Sequence, residues 1–179
     1  MQKHQTHGGR FVGQRVERTE PATEPLFDLT VHVDRSVRPT YPDWVKVVML
    51  SELECSGPAI YNLRTAVGQW FPREGEFTCL RGVHIYDQLK NSETLLSCLN
   101  LQDGLAIQQK GIEVFRKIFS NKDIYFWGSV VENRNGDLKI PSLSDYGGCL
   151  TFRWVWLGCY FSTFSHPVLY FKKQQEVVG

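Results

Sequence analysis

Between Leu26 and Asp34 apolar and polar residues alternate without a break. Phe27, Leu29, Val31 and Val33 fall on one side, and Asp28, Thr30, His32 and Asp34 on the other. A period of two predicts a half-buried strand of an antiparallel sheet. A polar turn around Arg38 and Pro39 follows, and Trp44–Leu50 reads as a second strand or a short helix. Residues 55–71 fit no single pattern. Pro58 can open a helix that puts Ile60, Leu63, Val67 and Trp70 on one face, whereas Gly68 weakens it. Phe77–Tyr86 reads as another strand, with Cys79, Val83 and Ile85 on one face and His84 on the other.

Beyond residue 90 the period changes. Asn91-Ser92-Glu93 predicts the cap of a short helix over Thr94–Asn100, and Asp103 opens a longer helix towards Phe119. Gly111, in the middle of that second helix, predicts a kink or a close approach. Strand signals then return. Ile124–Val131 leads into Asn135-Gly136, a hairpin turn; Leu138–Leu143 runs back, Asp145–Gly148 turns again, and Cys149–Leu157 and Val168–Lys172 complete the series. The pattern predicts an α+β fold: a mainly antiparallel sheet with an inserted helical pair and a C-terminal strand meander. This single domain spans residues 26–179, behind a flexible polar tail over residues 1–25 that has no apolar period.

The strand Leu150–Leu157, LTFRWVWL, concentrates three aromatics around one arginine. Leu150, Phe152, Trp154 and Trp156 share one face, and Thr151, Arg153, Val155 and Leu157 the other. A face so apolar is expected to be core, packed on helices. The alternative is a contact surface built from Trp127, Trp154 and Trp156, with Arg153 supplying charge. Trp127, Arg153 and Trp156 are therefore the candidate binding residues.

Composition narrows the picture. A chain of 179 residues, 42% hydrophobic and 22% charged, is long enough to fold around its own core. A net charge of +1 provides no broad field for nucleic acid or anionic lipid. The five cysteines include no C-x-x-C pair, and four lie in apolar segments. That pattern predicts reduced, buried thiols in a cytoplasmic protein; a secreted disulfide framework is the alternative. The first residues lack the apolar run of a signal peptide, and residues 149–164 are too short and too charged to span a membrane.

Motifs for dinucleotide, nucleotide-triphosphate, zinc-protease and α/β-hydrolase chemistry are absent. His32 and His84 lie near Asp34 and Asp87 in sequence. Were those strands neighbours, a His–Asp pair could serve Cys98 or Ser129 as nucleophile. His166-Pro167 reads as a turn. No metal-ligand spacing occurs, so neither metal nor cofactor is predicted.

Several short motifs recur together: Phe27-x-Leu29-x-Val31 leading to Asp34-Arg35-Ser36, Asp43-Trp44-Val45, Phe71-Pro72, Ser92-Glu93, Gly128-Ser129, and Pro141-x-Leu143 before a tryptophan-bearing strand. Over residues 27–171 this layout resembles a group of small bacterial proteins with no assigned activity. The resemblance implies a compact domain and supplies no catalytic residues. The chain departs from that pattern over Leu101–Lys110, which lacks an Arg-Pro-Ala step between the helices. Taken together, the expectation is a non-enzymatic protein-interaction domain with a protein partner. The alternatives are a nucleic-acid surface formed by Arg134, Lys139, Arg153, Lys172 and Lys173, and a small enzyme using His32 or His84.

Overall fold

The computed structural model describes residues 27–70, 79–120, 122–162 and 167–173. The predicted tail, the Phe71-Pro72 step and His166 lie outside these residues. At the centre is a long hairpin, β8 (Leu138–Tyr146) and β9 (Cys149–Trp156), paired through eight consecutive residues from Lys139↔Trp156 to Tyr146↔Cys149. The predicted turns on either side of β8 are both present. Asn133, at the end of β7 (Val131–Asn133), accepts from the backbone N–H groups of Asn135 and Asp137 and so holds the Asn135-Gly136 turn.

Around this hairpin the sheet runs β2 (Val45–Val48), β7, β8, β6 (Ile124–Tyr125), β11 (Val168–Phe171) and β4 (Val67–Trp70), with β9 on the free side of β8. All pairings are antiparallel except β11 against β6. Two short ribbons flank it: β1 (Thr30–His32) with β3 (Ile60–Asn62), and β5 (Cys79–Arg81) with β10 (Tyr160–Ser162). The fold is α+β with a mainly antiparallel sheet.

Both faces of the sheet are covered, which alternation within single strands makes plain. Leu143, Ile124 and Leu169 point into one core, with Val31, Leu63, Ile107 and Phe115; Ile140, Tyr125 and Val168 point into the other, with Ile85, Leu89, Trp127 and Phe161. The first core is roofed by α2 (Leu101–Gln109), α3 (Ile112–Phe119) and the β1–β3 ribbon. The second is roofed by α1 (Gly82–Asn91), a 3₁₀ turn at Thr94–Ser97 and the β5–β10 ribbon. Gly104 lets α2 lie close on the sheet, because a Cβ there would sit 2.6 Å from the Phe126 ring and 2.9 Å from that of Phe152.

Several expectations are corrected. Residues 82–86 form the start of a helix rather than a strand: Ile85, Tyr86 and Leu89 are buried on one side of α1 while His84 and Asp87 face water. Residues 60–70 form two strands in different sheets, and Ile60, which a helix here would have placed on its apolar face, is 61% exposed. The helix over Thr94–Asn100 is a single 3₁₀ turn, and the helix towards Phe119 is two helices separated at Gly111. Its cap is Asn100: the Asn100 side chain accepts from Asp103 N–H, while the Asp103 carboxylate accepts from Asn100 N–H. Of the five cysteines only Cys98 is buried; Cys79, Cys149 and Cys159 are exposed, and all are unpaired.

Candidate functional site

The aromatic strand does not behave as one face. On the Phe152 side of β9, α2 and α3 cover only the beginning of the strand, where Leu150 and Phe152 pack on the first core. Further along, Trp154 is covered by the 41–44 segment, with Trp44 edge-on at 5.3 Å and Tyr41 at 6.0 Å. Lys139 lies over the Trp44 ring at 5.0 Å. Trp156 is past the reach of this cover and is 51% exposed. The expectation that all four residues are core is thus corrected for Trp156.

Trp127 is corrected in the opposite direction. It sits in a 3₁₀ turn, 1% exposed, packed against Phe161 at 5.9 Å, and has no surface to offer a partner. Arg153 lies on the face opposite Trp156, its guanidinium 4.5 Å from the Tyr146 ring centroid. A second such pair stands at the β5–β10 ribbon, where Arg81 lies 5.4 Å from the Tyr160 ring centroid. Tyr146 and Tyr160 are 66% and 65% exposed. Tyr146, Trp156 and Tyr160 are thus exposed at three separate places, the two faces of the β8–β9 hairpin and the β5–β10 ribbon, and the two tyrosines each lie beside an arginine. The only acid of β8 besides its turn, Asp145, is taken by Arg116 at 2.7 Å, which lowers its carboxyl below the ordinary range.

A separate polar knot ties the first core together. Asp103, fully buried, accepts from Arg35 at 2.5 Å and from the Tyr61 hydroxyl at 3.0 Å. Arg35 also donates to Asn100 Oδ1 and to the Pro58 carbonyl, and Asn100 Nδ2 donates to Leu53 O at 2.7 Å. Burial beside this carboxylate drives the Tyr61 hydroxyl far above its usual pKa. The sequence signals half of this knot, since Asn100-x-x-Asp103 is a capping box. Arg35, 68 positions away from Asp103, carries no local signal.

The predicted catalytic residues do not come together. Asp34 is engaged by the Ser36 hydroxyl at 2.6 Å and the Ser36 N–H at 2.9 Å rather than by His32. His32 is exposed on β1, over the first core, and His84 is exposed on α1, over the second, so the sheet lies between them. Cys98 is buried, with its thiol pushed well above its usual pKa by that burial. Ser129 is also buried, its hydroxyl accepting from Leu101 N–H at 2.8 Å. The basic residues are dispersed as well. Arg134 and Lys139 line a cleft of about 450 Å³ with Asp43 and Trp44, while Arg153 is on the other face and Lys172 and Lys173 edge a different groove near Tyr61. Among the described residues no group of three or more histidines, cysteines or acids is placed to hold a metal, and no helix is long and apolar enough to cross a membrane.

No protein-family model, curated protein or solved structure matches this chain.

Proposed function

We propose that this chain is a protein-interaction domain whose contact surface centres on the exposed Trp156 at the end of β9. The observation that carries this reading is the exposure of Trp156, at 51%, beyond the cover that the rest of its face of β9 receives. Tyr146, at 66%, is exposed at the other end and on the other face of the β8–β9 hairpin, and Tyr160, at 65%, on the separate β5–β10 ribbon. Tryptophan, tyrosine and arginine are the residues that supply most of the binding energy in protein interfaces, because each buries a large area at small conformational cost. Arg153 and Arg81 already lie on two of these rings, so a partner meets them in a held geometry. The five unpaired cysteines, three of them exposed, support a reducing compartment such as the cytoplasm.

Affinity capture with the wild-type chain and with Trp156→Ala tests this. The expected result is a stoichiometric protein partner, retained at moderate salt and reduced at least about tenfold by the variant, as for a central contact residue. Retention of the partner by a folded Trp156→Ala overturns the reading. Recovery of nucleic acid at low salt alone points to the basic residues instead.

A further inference from the structure

The ladder between β8 and β9 determines which backbone groups of β9 are free. Leu157 N–H donates to Leu138 O at 2.9 Å, and the Ser142 hydroxyl reaches Arg153 O at 3.4 Å, so the odd-numbered residues of β9 direct their backbone polar groups inward to β8. By alternation Leu150, Phe152, Trp154 and Trp156 direct theirs outward. The Leu150 carbonyl is taken by Gln108 Nε2 at 3.0 Å, and the Trp156 carbonyl by Cys159 N–H at 3.1 Å. The N–H and C=O groups of Phe152 and Trp154 have no strand beside them among the described residues.

Protein edges of this length are normally guarded by proline, lysine, an inward charge or a bulge. β9 contains no proline and no lysine, and its register runs through eight pairs without a shift. Its single charge is Arg153, which leans back over Tyr146. On the opposite face Lys139 is held on Trp44. The nearby acid, Asp145, is already paired with Arg116. Among the described residues neither Arg153 nor Lys139 is paired with a carboxylate, and they lie on opposite faces of the β8–β9 hairpin.

We propose that β9 accepts an extended, acid-bearing segment of another polypeptide as an added strand; this rests on the interaction-domain reading and specifies its mode. In an antiparallel addition Phe152 and Trp154 exchange hydrogen bonds with the incoming backbone. Arg153 then falls at a non-hydrogen-bonded pair, where facing side chains are closest, and an aspartate or glutamate there meets the guanidinium. A second copy of this chain is a poorer occupant, because its own β9 brings no acid to Arg153.

Amide exchange read by NMR, without and with a synthetic nine-residue peptide of alternating threonine and valine with one central glutamate, tests the proposal. In the free protein Phe152 and Trp154 N–H exchange faster than Arg153 and Val155 N–H by about tenfold or more, and excess peptide removes the difference. A lysine in place of the glutamate weakens binding about fivefold, and Arg153→Glu reverses the preference. Three results overturn the proposal: protection of Phe152 and Trp154 in the free protein, protection that grows with protein concentration alone, or no discrimination between the two peptides. If a partner sensitive to Trp156→Ala binds while Phe152 and Trp154 N–H stay unprotected, strand addition falls and the interaction surface stands. If no such partner is captured, the interaction reading falls, whatever the peptide does.

Discussion

Arg35 holds the buried carboxylate of Asp103 with its own side chain 11% exposed, and Tyr61 and the Asn100 N–H share the same acid. Removing one member of such a group leaves an uncompensated charge in the interior, which is more damaging than removing the group as a whole. Arg35→Ala is therefore expected to lower stability by about 3–5 kcal/mol. Denaturant unfolding measures this, and a loss under about 1 kcal/mol, the value of an exposed pair, contradicts it. Arg35→Lys is expected to recover only part of the loss. A single ammonium cannot reproduce a fork that reaches Asp103, Asn100 and the Pro58 carbonyl together.

The break between α2 and α3 depends on one residue. Gly111 has φ +87° and ψ 168°, a conformation open essentially to glycine alone, although nothing lies within 4 Å of the position a Cβ would take. Gly111→Ala is thus expected to cost about 1–3 kcal/mol from backbone strain with no clash. D-alanine at the same position is expected to restore stability, and equal effects of the two enantiomers refute the explanation. Elements such as this mark where the sequence is readable. β1, β9, β11 and the Asn135-Gly136 turn follow from local alternation and turn chemistry. The helix α1 does not, because Val83, Ile85, Tyr86 and Leu89 satisfy a period of two almost as well as one of 3.6 over so short a span. The face containing Trp154 and Trp156 was likewise ambiguous: alternation gives the side of the strand, but not how far along it the roofing elements extend. Arg35 and Trp127 were illegible for a third reason, since their surroundings are assembled from residues distant in sequence.

At the scale of the whole molecule, two cores fill both sides of one sheet, and the exposed cysteines lie at strand ends: Cys79 and Cys149 begin β5 and β9, and Cys159 directly precedes β10. Cys79, Cys149 and Cys159 are expected to react with a thiol reagent in the native protein. Cys98, whose thiol burial pushes well above its usual pKa, is expected to react only as the second core opens. Mass spectrometry of labelled native protein checks this, and early labelling of Cys98 means that the second core opens locally. The same two-sided burial explains the mixed faces of β9. Neither side of the sheet is reserved for water, so an apolar residue is not by itself a guide to which core it joins.

The position of β11 bears on how the chain is made. Val168–Phe171 lies between β6 and β4, and it is the element that joins the strand at residues 67–70 to the rest of the sheet. A ribosome-bound chain that has already emitted every earlier strand therefore still holds a slot of sheet width with unpaired edges on both sides. Closing that slot requires a pairing of high sequence separation, which is slow to form. Until then the nascent chain exposes the strand edges and the apolar residues of both cores, and β4 and β6 stay open to other partners.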